Sequence, residues 1–181
     1  MPSKIDQVTL DRIQLLHPML RDEAYYIYTA QVVPALSGRA MCRFAFTLRS
    51  WEEQASLYAQ GRTKLFDSKG NRLGIVTKAK PGQSLHNYGL ALDIVLVKDT
   101  DGNGSFDTAS WQDNIDFDDD GKADWMEVIN VFKANGWDWG GDWVTFKDLP
   151  HVQKTFGYKW QTLKVKYENK DFITGTTYVN L

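Results

Sequence analysis

From Thr9 to about Val33, apolar residues recur at Leu10, Ile13, Leu16, Leu20, Ala24 and Ile27, a spacing that places them on one stripe of a helix. Pro18 predicts a break in that helix, and His17 directly before it is expected to be structural or solvated. Residues 40–47, AMCRFAFT, alternate as a strand does, and Ser50 followed by Glu53 carries the capping-box signature of a new helix, WEEQASLYAQG, stopped by Gly61. Arg49 then lies at a strand-to-helix corner. Residues 64–83, rich in Gly, Lys and Pro, read as a hairpin or irregular loop. LALDIVLV, at 90–97, has the β-branched and apolar content of a buried strand, yet carries Asp93 in its middle.

Beyond a segment at 99–124 dense in Asp, Asn and Gly, WMEVINVFKANG shows helical spacing with Gly136 as its C-terminal cap. WDWGGDWVTFKDLPHVQ sets aromatics around two adjacent glycines and suggests a strand and turn beside a cleft, with Trp137, Trp139, Trp143 and Phe146 as core and cleft wall. The tail offers a short helix and a final strand, TTYVNL. Helices and strands in this order predict an α+β fold, a single domain over residues 1–181 with an acidic insertion at about 99–124 and a central antiparallel sheet with packed helices.

The 181 residues suffice for one hydrophobic core, and 43% apolar with 24% charged side chains is ordinary for a globular protein. Twenty-one basic against 23 acidic side chains give a net charge of -2, so no nucleic-acid partner is expected. Cys42 is the one cysteine, which excludes an internal disulfide and predicts a small buried thiol. The opening MPSKIDQVTL lacks the apolar stretch of a secretory signal, and no run approaches the length of a membrane span. A soluble form, unexported or already processed, is the expectation, with no membrane insertion and a monomeric state.

An ionised aspartate inside an apolar strand costs several kcal/mol unless a cation or strong donors compensate it, so Asp93 calls for a partner. His86, seven residues earlier, converges with it if the chain bends at Tyr88 and Gly89. Catalytic zinc takes three protein ligands of imidazole and carboxylate type and keeps one position for water; His151, preceded by Pro150, is the better remaining histidine. On spacing alone two readings stand: a metal site, or ordinary histidines with Asp93 paired to an arginine.

SLHNYGLALD at 84–93 matches S-x-H-x-x-G-x-A-x-D, and DLPH at 148–151 matches a [DE]-x-x-H element. Together they resemble the zinc D-Ala-D-Ala carboxypeptidase and L-alanyl-D-glutamate peptidase family, whose fold is shared by the hedgehog signalling domain. LRSWEEQASLYAQGRT and GWDWGGDWVTFKDLPH extend the resemblance to about 100 to 110 residues in the right order. It implies that His86, Asp93 and His151 bind zinc, that Asp148 is the general base, that Arg49 stabilises charge at the scissile carbonyl and that Ser84 hydrogen-bonds substrate. Many relatives have glutamate at the base position and an H-F-E ending where this chain reads Asp148 and HVQ, so the shorter carboxylate must sit closer to the metal. The bland alternative for Asp148 is a cap on the turn before Pro150.

A second ion is suggested by spacing. Asp99, Asp101, Asn103, Gly104 and Asp107 fall at positions 1, 3, 5, 6 and 9 of a calcium loop, and Asp116, Asp118, Asp120, Gly121 and Asp124 repeat the pattern with Glu127 at position 12. Calcium there and a solvated acidic loop with Asx turns remain equally open. Asp142 is a candidate acceptor for a zinc-ligating histidine.

The resulting expectation is a zinc peptidase of peptidoglycan stem peptides, endolysin-like or wall-remodelling, whose substrate lies in the cell wall or periplasm while the sequence leaves the protein's own location open. LYAQGR and WGGDW resemble the L-Ala-D-Glu endopeptidase branch; a D-Ala-D-Ala carboxypeptidase or dipeptidase is the close rival, and a zinc-containing binding module without turnover is the rival of another class.

Overall fold

The computed structural model describes residues 5–181. Contacts gather in two compact units, one holding the chain through Thr47 with Ala91–Lys154, the other Leu48–Leu90 with Thr155–Leu181.

In the first unit, helix α1 (Gln7–Ile13) starts where the Asp6 carboxylate accepts from the Thr9 amide at 3.1 Å and takes two bonds from Arg43, at 2.8 and 2.9 Å. The helix stops before Pro18, as expected. Proline at the first position of α2 (Pro18–Tyr26) loses no bond, and His17 caps it, its Nδ1 accepting from the Met19 amide at 3.3 Å. His17 is buried and structural. The chain continues through wider π-helical turns (Ile27–Val32) into α3 (Val33–Ala35), directly before and around Pro34, whose ring and missing amide disturb the ladder four residues back. Ile13, Leu16, Leu20, Ala24 and Ile27 are fully buried, while Leu10 at the end of the stripe is half-buried.

Strand β1 (Ala40–Phe46) pairs antiparallel with β2 (Ala91–Lys98), from Ala40 opposite Lys98 to Phe46 opposite Asp93, with a bulge between Phe44 and Phe46. The other edge of β2 is shared: β3 (Thr108–Ser110) pairs with Leu96–Lys98, and β5 (His151–Gln153) pairs with Ala91–Asp93. The two-residue β4 (Asp138–Trp139) lies outside β5. Buried on both faces, β2 needs the near-continuous apolar run that its sequence shows. Helix α5 (Asp124–Ala134) buries Trp125, Val128, Ile129 and Phe132, and the Phe132 ring lies 5.9 Å from Phe44 and 5.4 Å from Trp137. Gly136 follows at φ 76°, the left-handed cap expected of it. Cys42 is a free, buried thiol.

In the second unit the capping box of α4 (Trp51–Ala59) is formed by both of its bonds, Glu53 amide to Ser50 and Ser50 amide to Glu53. Trp51 stacks on Tyr167 of α6 (Trp160–Glu168) with centroids 4.7 Å apart, and Tyr88 and Phe172 pack on the same Tyr167 ring. Gly82, at φ 79°, passes so close to Trp51 that a Cβ would lie 2.6 Å from the ring. Residues 64–83 form an irregular loop with a bridge inside it, Phe66 to Arg72, and another from Lys64 back to Gln60. The expected final strand is reduced to a single bridge, Phe172 to Val179, because Ile173–Thr176 turn back through Gly175. Among the described residues no helix is long and apolar enough to cross a membrane.

Candidate metal centre

Asp93 and His151 are direct cross-strand partners on β2 and β5, and the His151 Nδ1 lies 3.3 Å from Asp93 Oδ1. Register brings them together. Residues facing each other across an antiparallel ladder project to the same side, so fifty-eight positions of sequence separation collapse to one contact. His151 is buried, and the Asp93 side chain is 15% exposed.

A carboxylate oxygen this close to a ring nitrogen calls for a proton on that nitrogen or a metal ion between the two. Burial pulls the His151 imidazolium down, but the Asp93 carboxylate, the Gln153 oxygen 3.0 Å from Nε2 and the charge of Asp148 oppose it, and the net direction is upward.

His86 is buried in a short 3₁₀ turn (Leu85–Tyr88) closed by Gly89 at φ 69°. The Leu90 amide donates to Leu85, which reverses the chain between His86 and β2. The Asp93–His151 pair of the first unit and His86 of the second offer two imidazoles and one carboxylate, the donor set that catalytic zinc takes with a further position left for solvent.

Arg49 sits at the corner between β1 and α4. Its amide donates to the His86 carbonyl at 3.0 Å, its carbonyl accepts from Asn87 at 2.9 Å and its guanidinium donates to Gln54 at 3.1 Å. The corner and the histidine turn are thus tied through main chain. Gln54, wholly buried in α4, is fixed in turn by donating to the Ala79 carbonyl at 2.8 Å. Neither Gln54 nor Asn87 stands out in the sequence; for Gln54 the available signal was a polar side chain on the inner face of a capped helix. Ser84 stands half-buried at the start of the 3₁₀ turn, its carbonyl accepting from the Asn87 amide.

Asp148 is placed by glycine. Its amide donates to the Gly140 carbonyl at 3.0 Å, and a Cβ on Gly140 would lie 2.4 Å from the Asp148 carbonyl oxygen. A Cβ on Gly141 would strike the Trp139 ring at 2.2 Å. The loop is pinned further by Trp139 Nε1 donating to the Leu149 carbonyl at 2.7 Å and by the Ile94 amide donating to Pro150 at 3.0 Å. The aromatic run therefore forms a strand of only two residues before a 3₁₀ turn (Gly140–Asp142). Trp137 is core, Trp143 packs on His151 with centroids 5.2 Å apart and Phe146 is exposed. Asp142, a candidate for orienting a ligating histidine, accepts from Lys133 at 2.6 Å, and oxygens of Asp93 and Gln153 face His151.

The two acidic loops differ. Asp99 accepts from the amides of Gly102, Asn103 and Gly104, while Asp101 and Asp107 bond their near neighbours Asn103 and Thr108, so the first loop is organised by its own turns. In the second, ligand atoms of Asp116, Asp118 and Asp124, and again of Asp118, Asp120 and Glu127, lie within 4.8 Å of one another. Burial pushes the Asp124 carboxyl up to about 6 against the Phe117 amide bond that opposes it, and the charges of Asp118, Asp116 and Glu127 add to the rise.

Residues 77–154 match the family described as D-alanyl-D-alanine carboxypeptidase, a span that contains His86, Asp93, Asp148 and His151. The peptidoglycan L-alanyl-D-glutamate endopeptidase CwlK of Bacillus subtilis is 49% identical over 138 residues, 76% of this chain and 72% of that protein. The L-Ala D-Glu endopeptidase ChiX of Serratia marcescens shares the fold, with a TM-score of 0.54 at 18% identity over 84% of this chain and 90% of that one.

Proposed function

Because the chain belongs to the D-alanyl-D-alanine carboxypeptidase family of peptidases, whose members are metal-dependent, we propose that it cuts the L-alanyl-D-glutamate bond of peptidoglycan stem peptides with zinc held by His86, Asp93 and His151. The observation that carries the choice of bond is the 49% identity, over three quarters of the chain, to a peptidoglycan endopeptidase of that specificity. The donor set carries the choice of metal, since two imidazoles and one carboxylate match catalytic zinc better than hard, oxygen-seeking cations.

Zinc, when bound, supplies Lewis acidity toward water and the scissile carbonyl. The remaining work falls to this chain's side chains. Asp148, whose charge reaches His151, takes the proton from the attacking water and returns it to the departing D-glutamate nitrogen as the C–N bond breaks. The products are an L-alanine carboxylate and a D-glutamate amine. Arg49 is permanently cationic, and its guanidinium, held by Gln54, opposes the charge that develops on the carbonyl oxygen. Ser84 offers a hydroxyl to the peptide at the mouth of the histidine turn. Trp143, packed on His151, limits solvent around the ligand.

The second reading is release of the terminal D-alanine, which the description of the matching family favours. Digestion of purified stem peptide by the zinc-loaded protein, followed by mass spectrometry, separates the two. Fragments carrying a new amino terminus on D-glutamate are expected; loss of D-alanine alone overturns the assignment of the bond.

A further inference from the structure

The loop that opens α5 gathers more negative charge than its surroundings neutralise. Asp116, Asp118 and Asp124 form one close group and Asp118, Asp120 and Glu127 another, joined through Asp118. Acidic clusters are common on surfaces, and alone this one would signify little. Two of its oxygens, however, are buried without a hydrogen-bond donor among the described residues: Oδ1 of Asp124 and Oε2 of Glu127. Asp124 is wholly buried. A buried carboxylate oxygen without a donor is costly, and a cation satisfies it directly.

The local chain already presents these groups inward. Asp116 takes the amides of Asp120 and Gly121, at 3.2 and 2.8 Å, and Gly121 turns the loop at φ 91°. Asp124 and Glu127 both stand in the first turn of α5, three residues apart on one face. The Lys122 ammonium meanwhile lies 2.9 Å from Asp120 and 3.4 Å from Glu127, an exposed positive charge spanning two members of the cluster.

We propose that Asp116, Asp118, Asp120, Asp124 and Glu127, with the Lys122 carbonyl at the seventh position, bind a calcium ion that Lys122 partly replaces in its absence. Oxygen ligands at alternate positions of a short loop, closed by a glutamate on the following helix, suit a hard cation of flexible coordination. Magnesium, which requires near-ideal octahedral geometry and dehydrates reluctantly, binds more weakly. The ion fastens the acidic insertion to the buried start of α5 and takes no part in bond cleavage. The Ser37 amide, donating to Asp118 at 2.5 Å, extends that fastening to the segment leading into β1.

Calorimetric titration of the zinc-loaded protein with calcium chloride, and separately with magnesium chloride, tests this. One saturable calcium site is expected with Kd at or below about 1 mM, and a hundredfold excess over Kd raises Tm by about 5–10 °C. Asp124→Asn should weaken calcium at least tenfold with zinc content unchanged. Because Asp124 is buried, the more exposed Asp120→Asn is the companion variant and should weaken it several-fold. Lys122→Ala should tighten binding several-fold by removing the competing ammonium; unchanged affinity there overturns this ligand set. No saturable calcium uptake by the native protein, or uptake undiminished in both carboxylate variants, overturns the site.

Discussion

Gly140 has no room for a side chain beside Asp148, so the position of the proposed base depends on a residue that takes no part in the chemistry. Gly140→Ala must push the Asp148 main chain away by several tenths of an ångström or more. A displacement near 1 Å costs about 100-fold in turnover, so kcat should fall by that order while zinc content stays at the native level. Asp148→Ala should lower kcat by about 10²–10⁴-fold, again with zinc retained; native activity in that variant would assign the base elsewhere. The [DE]-x-x-H motif points to Asp148 from the sequence. Gly140 is not legible there, because a glycine required for close main-chain approach looks the same in a sequence as one required for a turn.

At the scale of elements, the start of α1 concentrates stability. Asp6 is an N-cap and a buried partner of Arg43 at once, and Asp6→Ala should cost about 3 kcal/mol by denaturant unfolding. Burial raises the Asp6 carboxyl, but bonds from Arg43 and Thr9 outweigh it and hold it below the usual 3.8. The unfolded chain therefore takes up the proton first. The Asp6 contribution is complete above about pH 4 and is lost as pH falls through the lower folded value. Measured against Asp6→Asn, the stability difference should shrink below that point and stay level between pH 5 and about 7. Ser50→Ala should cost about 1 kcal/mol through loss of the capping box.

Most elements were legible for local reasons. The capping box, Pro18, the apolar run of β2 and the Gly136 cap are each decided within a few residues of themselves. The aromatic stretch after Trp137 was misjudged in extent, because its alternation suits a strand while Gly140 and Gly141 admit a loop that tertiary bonds then fix. TTYVNL likewise has strand-like composition, yet among the described residues its ladder is a single bridge, Val179 to Phe172. The π-helical turns before Pro34 depend on how one helix meets its own proline, which periodicity does not express.

Across the whole molecule, β2 couples stability to chemistry. It is paired along both edges, and its register with β5 sets Asp93 against His151. A slip of one residue would turn Asp93 to the opposite face, so loss of core packing should cost activity as well as stability. Phe132→Ala, removing a ring packed between Phe44 and Trp137, should destabilise by about 3–5 kcal/mol. The most direct measurement of the central claim is the metal content of the purified protein beside His86→Ala, Asp93→Ala and His151→Ala, each confirmed as folded by circular dichroism. One zinc per native chain and a loss in every variant are expected. Full zinc occupancy in folded His151→Ala would contradict that claim.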